Sequence, residues 1–269
     1  MRYHSAMSSD PDKAAPATVP ARKLLVTGGS RGIGAAIASL FAARGWQVAL
    51  TYRERADTAR AVVAEIEADG GTAAAFRVDV SDEAEIVALF DELDRAGFTP
   101  DAVVNNAGIT GPRTALMDLD GGVLDRVLRT NIAGTMLIAR EAAWRMARSR
   151  GGKGGAIVNI SSTATRLGSP GQWVHYAASK AAVDMFTQGL ARELAAEGIR
   201  VNAVSPGHTM TTADPAEQAR IEARFEGERH SVPLGRIGKA EEVAEAVYWL
   251  ADDAASYVTG ALLPAAGGR

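Results

Sequence analysis

The chain has 269 residues, 29 Lys and Arg against 32 Asp and Glu, and 47% hydrophobic and 23% charged residues. That composition excludes disorder, collagen and fibre for the body of the protein, and a net charge of -3 argues against a nucleic-acid or anionic-membrane partner, since either wants a basic surface. The absence of cysteine removes disulfide scaffolds, thiol nucleophiles and thiolate metal sites together, and no apolar run reaches the roughly 18 residues of a membrane span.

Residues 1–21 carry Pro11, Pro16 and Pro20 and lack the continuous apolar stretch of a secretory signal, so they read as a disordered arm. The domain then runs from Arg22 to Arg269, and a soluble cytoplasmic protein is expected. From Arg22 on, short apolar runs alternate with helix-period stretches, the pattern of βαβ units that build a parallel sheet. Leu24-Leu25-Val26 reads as the first strand, Gly32 to Arg44 as a helix that Gly45 ends, and Trp46 to Tyr52 as the second strand. A helix over residues 54–69 stops at Gly70-Gly71, and Ala73 to Val78 is the third strand. Ser81 is placed to cap the next helix, with Glu83 and Glu85 in its positive first turn. Ala102 to Asn105 forms the fourth strand, and one long helical stretch covers Val123 to Arg150. Ala156 to Ile160, a helix over 174–197, Val201 to Val204, a helix over 240–252 and Ala261 to Leu263 complete the chain. The rhythm predicts one doubly wound sheet, whose ligands bind beyond the carboxyl ends of the strands.

Thr27-Gly28-Gly29-Ser30-Arg31-Gly32-Ile33-Gly34 lies between the first strand and the first helix. Glycines there permit positive φ and let backbone N–H groups approach a pyrophosphate, which rests on the helix amino end. The alternative is a glycine-rich connection without a ligand, but the strand-turn-helix setting favours a dinucleotide. An acid after the second strand would bond the ribose 2′-hydroxyl; the chain offers Tyr52-Arg53 there, with Arg31 as a second guanidinium. Two guanidiniums suit a 2′-phosphate, so NADP(H) is expected over NAD(H). The alternative leaves Arg53 as a solvated surface residue.

Tyr176-Ala177-Ala178-Ser179-Lys180 sets a phenol and an ammonium one turn apart on a helix face. A phenol serves as acid or base near neutrality only if its pKa falls from about 10. A nearby lysine and a cationic nicotinamide would both favour the phenolate. The pair follows a strand that ends in Ile160-Ser161-Ser162, whose hydroxyls lie at the ligand edge of the sheet.

The glycine turn, Asn105-Asn106-Ala107-Gly108, Asn131, Ser161-Ser162, Tyr176-x-x-x-Lys180 and Pro206-Gly207 occur in the order and spacing of the short-chain dehydrogenase/reductase family, which the chain resembles from Arg22 to Arg269. The resemblance implies a single-domain, Rossmann-like, doubly wound parallel α/β sheet of about seven strands with helices on both faces. It also implies hydride transfer between a nicotinamide and a carbonyl or secondary alcohol. Tyr176 would be the general acid/base, Lys180 would lower its pKa and hold the nicotinamide ribose, and Ser162 would bind the substrate oxygen. Asn131 would position a water that links Lys180 to solvent. The family's usual Ser-to-Tyr spacing lands on Thr163, which stays open as the alternative to Ser162.

The same resemblance assigns Gly28, Ser30, Arg31, Gly32, Ile33 and Gly34 to the cofactor turn, and Tyr52 and Arg53 to its selectivity. Asp79 and Val80 resemble the adenine-edge pair, and Asn106, Ala107 and Gly108 would pack on the adenosine. Pro206, Gly207, Thr209 and Thr211 resemble the loop that holds the carboxamide and phosphates. Residues 210–232 are expected to form a lid, and Trp173, His175, His208 and Met210 are candidates for the substrate wall. No metal site is expected. A non-enzymatic NADP(H)-sensing regulator on this fold would be expected to lose Tyr or Lys, and a methyltransferase would want an acid after the second strand; the chain fits neither. Residues 161–180 and 254–269 look most like 3-oxoacyl carrier-protein reductase-like and glucose 1-dehydrogenase-like members, which names neighbours and no substrate. A homotetramer is expected, with a dimer as fallback.

Overall fold

The structure is a computed structural model that describes residues 21–212 and 214–269. The expected arm, residues 1–21, lies outside the described residues except for Ala21. The described residues form nine strands and nine α-helices: β1 (Lys23–Val26), α1 (Gly32–Ala43), β2 (Gln47–Tyr52), α2 (Ala56–Ala68), β3 (Thr72–Arg77), α3 (Glu83–Arg95), β4 (Ala102–Asn105), α4 (Gly121–Leu128), α5 (Thr135–Met146), β5 (Gly155–Ile160), α6 (Ala164–Leu167), α7 (Val174–Leu194), β6 (Ile199–Pro206), β7 (Thr209–Met210), α8 (Pro215–Glu226), β8 (Gly238–Lys239), α9 (Ala240–Ala251) and β9 (Leu262–Ala265).

Seven strands form one parallel sheet in the order β3-β2-β1-β4-β5-β6-β9. The order turns back between β1 and β4, so the carboxyl ends of these two strands part and leave a crevice. Near-continuous apolar strands are what a sheet covered on both faces requires. One face packs on α1, α2 and α9 through Ile37, Phe41, Ile66, Val243 and Leu250. The other packs on α3, α5 and α7 through Phe90, Leu93, Ile138, Met146 and Leu194. Each such large side chain, when fully buried, contributes roughly 1.5–3 kcal/mol before entropy is counted.

Three local readings change. The cap of α3 is Asp82, whose carboxylate accepts from Ala84 N and Glu85 N; Ser81 instead donates its hydroxyl and N–H to Asp79. The stretch from Val123 to Arg150 is not one helix. Between α4 and α5, residues Arg129–Gly134 form a π turn, and Arg148–Arg150 closes as a 3-10 turn before Gly151 at φ 86°. Finally, β7 and β8 pair as a small separate sheet, too short to leave a periodicity in the sequence. Among the described residues no helix is long and apolar enough to cross a membrane.

Candidate active site

The glycine turn closes tightly against the loop that follows β4. Gly28 and Gly32 have φ of 66° and 55°. Asn106 Nδ2 donates to Thr27 O and Gly28 O at 2.9 and 3.0 Å, while Thr27 Oγ1 accepts from the N–H groups of Asn106 and Ala107 at 3.1 and 3.0 Å. A Cβ at Gly34 would fall on the Gly28 carbonyl oxygen and 2.5 Å from Asn106 Nδ2. The turn is therefore drawn in to the backbone, which leaves the first N–H groups of α1 facing outward.

In front of this turn lies a cleft of about 640 Å³. Gly28, Ser30, Arg31, Gly32, Ile33, Tyr52, Arg53, Asp79, Val80, Asn106, Ala107, Gly108 and Thr211 all line it. Gly34 shapes it from below and is buried. Arg55, at the amino end of α2, also lines this cleft. Arg31, Arg53 and Arg55 thus all belong to its wall, and Glu54 pairs with Arg53 at 2.6 Å. Partial burial works against the Asp79 carboxylate, but the Ser81 hydroxyl and N–H, with Arg53 and Arg77, outweigh it and hold its pKa below the ordinary value.

A second cleft, of about 770 Å³, adjoins the first, and Thr110 and Thr211 belong to the walls of both. Tyr176, Ser162, Thr163, Gly207 and Thr209 face this second space, as do Trp173 and His208. Pro206 lies behind it and accepts from Thr163 N at 3.1 Å. His175 is buried and fixes the wall by its contact of Nε2 with Thr110 O at 2.9 Å. Met210 lines neither cleft.

One turn along α7 from Tyr176, Lys180 is only 4% exposed. Its ammonium donates to Ile160 O at 2.7 Å and lies 5.9 Å from the Tyr176 ring centroid. A Cβ at Gly108, in the wall of the first cleft, would stand 3.3 Å from both Lys180 Nζ and Asn131 Oδ1, so the glycine lets the loop after β4 lie close against the lysine. Burial brings the Lys180 pKa down to about 8, with Asp184 opposing. Burial also raises the Tyr176 phenol above its ordinary value, and a hydrogen bond with the Ser162 hydroxyl pulls the other way. The chain's own groups therefore do not produce the lowered phenol pKa that the sequence suggests.

Asn131 sits in the π turn and is fully buried. Its amide donates to Ile109 O at 2.8 Å and Ser179 Oγ at 2.9 Å, and its oxygen accepts from Ile109 N at 2.8 Å. Ser179 in turn donates to Tyr176 O at 2.7 Å. The side chain is a brace between the loop after β4 and the helix that carries Tyr176.

The family model described as Enoyl-(Acyl carrier protein) reductase matches residues 28–269. The uncharacterized oxidoreductase YgfF of Escherichia coli is 47% identical over 247 residues, covering 91% of this chain and 98% of that protein. The 3-oxoacyl-[acyl-carrier-protein] reductase FabG of Staphylococcus aureus is 38% identical over 92% of this chain and 97% of its own length. A short-chain dehydrogenase from Burkholderia cenocepacia, solved in complex with NADP, superposes with a TM-score of 0.82 at 38% identity, covering 92% of this chain and 97% of that one. The chain belongs to the short-chain dehydrogenase/reductase family. It is an oxidoreductase.

In this short-chain dehydrogenase/reductase the far wall of the second cleft holds a charged group that the sequence did not suggest. Glu228, just after α8, accepts from Arg269 Nη2 at 2.7 Å and meets His208 Nε2 at 2.9 Å. Arg269 Nη1 also touches the His208 ring. These residues lie far apart in the chain, and the contact exists only because β6, the segment after α8 and the tail converge. Arg55 was missed for another reason: it reads as one more exposed arginine until the start of α2 turns it to the cleft.

Proposed function

We propose that this protein is an NADP(H)-dependent reductase of carbonyl compounds, able to run in reverse on secondary alcohols, through Ser162, Tyr176, Lys180 and Asn131. The carrying observation is the junction of the two clefts: a glycine cradle with three guanidiniums on one side, Tyr176 and Ser162 on the other, and shared walls at Thr110 and Thr211. The cradle fits a dinucleotide, because the close-packed turn leaves backbone N–H groups toward the cleft and the guanidiniums suit a 2′-phosphate. Gly28, Ser30, Gly32 and Ile33 would hold the pyrophosphate, Arg31, Arg53 and Arg55 the 2′-phosphate, Asp79 and Val80 the adenine, and Gly207, Thr209 and Thr211 the nicotinamide side. When bound, the nicotinamide supplies or accepts the hydride.

Tyr176 gives its phenolic proton to the carbonyl oxygen in reduction and takes it back in oxidation. Ser162 donates a hydrogen bond to the same oxygen; its bond with Tyr176 favours it over Thr163. Lys180 holds a positive charge near the phenol and reaches the ribose side past Gly108. That charge opposes the burial that raises the phenol. Asn131 keeps α7 in register with the loop after β4. Residues 210–232 act as a lid over the second cleft. On this reading the protein works in the cytoplasm as a homotetramer, which the exposed Trp144 and Met185 on α5 and α7 support. A panel of small ketones, keto esters and alcohols, each followed by NADPH and NADH absorbance, tests the reading. Faster turnover with NADPH supports it, and a tenfold preference for NADH contradicts it.

A further inference from the structure

Residues 110–114, the outer part of the loop after β4, are clipped to the segment that leads into α7. Thr114 N donates to Gln172 O at 2.8 Å, Trp173 Nε1 donates to Gly111 O at 3.2 Å, and His175 Nε2 meets Thr110 O at 2.9 Å. Among the described residues no other hydrogen bond ties 110–114 to a distant part of the chain.

A carbonyl oxygen only accepts, so His175 Nε2 carries a proton and donates it to Thr110 O. The ring is 4% exposed, and the protein encloses its other nitrogen, Nδ1, with no partner. An enclosed polar atom without a partner costs stability, so an apolar ring would serve better there if filling space were the role of this side chain. His175 belongs to the wall of neither cleft; the sequence expectation of a substrate-wall residue gives way to one that stands behind the wall. The backbone it holds is drawn in closely. Gly111 has φ 70°, and a Cβ there would lie 3.4 Å from His175 Nε2 and 3.0 Å from Val123 Cγ1 of α4.

Thr110 lines both clefts and Gly111 lines the first, while His175 immediately precedes Tyr176 in the first turn of α7. The clip thus joins the dinucleotide cleft to the start of the helix that presents the phenol. We propose that His175 is a positioning residue: with Trp173 it fixes the Thr110–Gly111 backbone at the junction of the clefts, and so sets how the nicotinamide side and the substrate carbonyl meet Tyr176. This role rests on the reading of the first cleft as the dinucleotide site and of Tyr176 as the proton donor. His175 touches no reacting atom and acts through the backbone of the loop. Hydride and proton reach one carbonyl only from near-attack geometry, and a misplacement of about 1 Å costs on the order of a hundredfold in rate. A loosened junction also lets a prochiral carbonyl present either face to the hydride.

The test compares the unaltered enzyme, His175→Phe and His175→Gln in the reduction of ethyl acetoacetate by NADPH, with kcat, NADPH affinity and the enantiomeric excess of the hydroxy ester measured. His175→Phe keeps a ring and removes the donor, whereas His175→Gln offers an amide N–H at about the reach of Nε2. His175→Phe is expected to lower kcat roughly ten- to hundredfold and to erode the enantiomeric excess. NADPH affinity changes less than about threefold, a difference of under half a decade, because the glycine turn and the arginines are untouched. His175→Gln recovers most of both losses. A kcat and an enantiomeric excess like the parent's in His175→Phe, or equal losses in the two variants, overturn the proposal. Two readouts need neither cofactor nor turnover. Hydrogen exchange over residues 110–114, followed by mass spectrometry, is expected to quicken in His175→Phe and to slow again in His175→Gln, while β4 and β5 stay protected; exchange unchanged in His175→Phe contradicts the proposal. If that variant fails to fold, nitrogen-15 NMR of the unaltered protein decides: a ring proton on Nε2 is expected, and one on Nδ1 alone contradicts the clip. Tyr176→Phe separates the two levels. If it keeps full activity, the reading of the site fails; if it is inactive while His175→Phe turns over like the parent, this inference alone falls.

Discussion

The side-chain amide of Asn131 donates to the hydroxyl of Ser179 at 2.9 Å. This bond ties the π turn between α4 and α5 to the helix that presents Tyr176, and Ser179 relays it to the Tyr176 carbonyl at 2.7 Å. A π turn is uncommon and is often found at functional sites; here it coincides with a buried side chain whose donors and acceptor are all used.

Asn131→Ala is accordingly expected to cost at least about 2 kcal/mol, because it leaves Ile109 N–H, Ile109 C=O and Ser179 without their partner in a buried place. Urea unfolding checks this. The kcat should fall at least tenfold with the fold retained, since Tyr176 loses its brace. Stability within about 0.5 kcal/mol of the parent would show that the bonds contribute little.

At the glycine turn the expectation is steric. Gly34→Ala would push a methyl group into the Gly28 carbonyl and the Asn106 amide. Overpacking of this kind costs typically ~1–3 kcal/mol, and the turn can relieve it only by opening away from Asn106. Titration of tryptophan fluorescence with NADPH should therefore show weakened dinucleotide binding. Binding as tight as in the parent would mean that Gly34 is not needed for the shape of the cradle.

Cofactor choice is testable at the other end of the same cleft. Replacing Arg53 or Arg31 by Ala should raise the KM for NADPH by roughly ten- to hundredfold, the worth of a charge-assisted hydrogen bond, and should leave the KM for NADH nearly unchanged. Arg55 lines the same space, so a residual NADPH preference in the double variant would point to it. An equal effect on both cofactors would make the arginines general electrostatic attractors rather than readers of the 2′-phosphate.

Lys180 carries a stability signature whose sign is fixed by its burial. Its folded pKa, about 8, lies below the ordinary 10.5. Between these values the unfolded chain binds more protons than the native one, so this lysine's contribution to stability improves as pH rises from about 8 toward 10.5, and its cost is complete below 8. The full difference is on the order of 3 kcal/mol. In Lys180→Met this pH dependence is expected to vanish, so the stability difference between parent and variant should change steadily from pH 7.5 to 10. A constant difference across that range would mean that the ammonium is not held in the interior.

The sheet was legible because each strand of a covered parallel sheet is a short apolar run, and several crossover helices end in a signal such as Gly45, Gly70 or Gly198. The glycine turn and the Tyr176-Lys180 pair were legible because their chemistry depends on residues close in sequence. The π turn was not, since nothing in the spacing of Arg129 to Gly134 marks a bulge, and the bonds that Asn131 makes there to Ile109 and Ser179 join residues far apart in the chain. Asp82 displaced Ser81 as the cap of α3 because Ser81 was drawn to the Asp79 carboxylate. The Glu228, His208 and Arg269 group depends wholly on tertiary convergence. The raised phenol of Tyr176 follows from burial, which a residue spacing does not report.

In the proposed mechanism Tyr176 moves the proton while the dinucleotide cleft serves the hydride. Its most direct measurement is turnover of a reducible ketone with NADPH by Tyr176→Phe, alongside NADPH binding by the same variant. Removing one phenolic oxygen should lower kcat by at least a hundredfold, within the range of about 10²–10⁴ for a general acid, while the affinity for NADPH changes less than threefold, a difference of about 0.7 kcal/mol. Turnover within a factor of a few of the parent, with binding intact, would contradict Tyr176 as the proton donor.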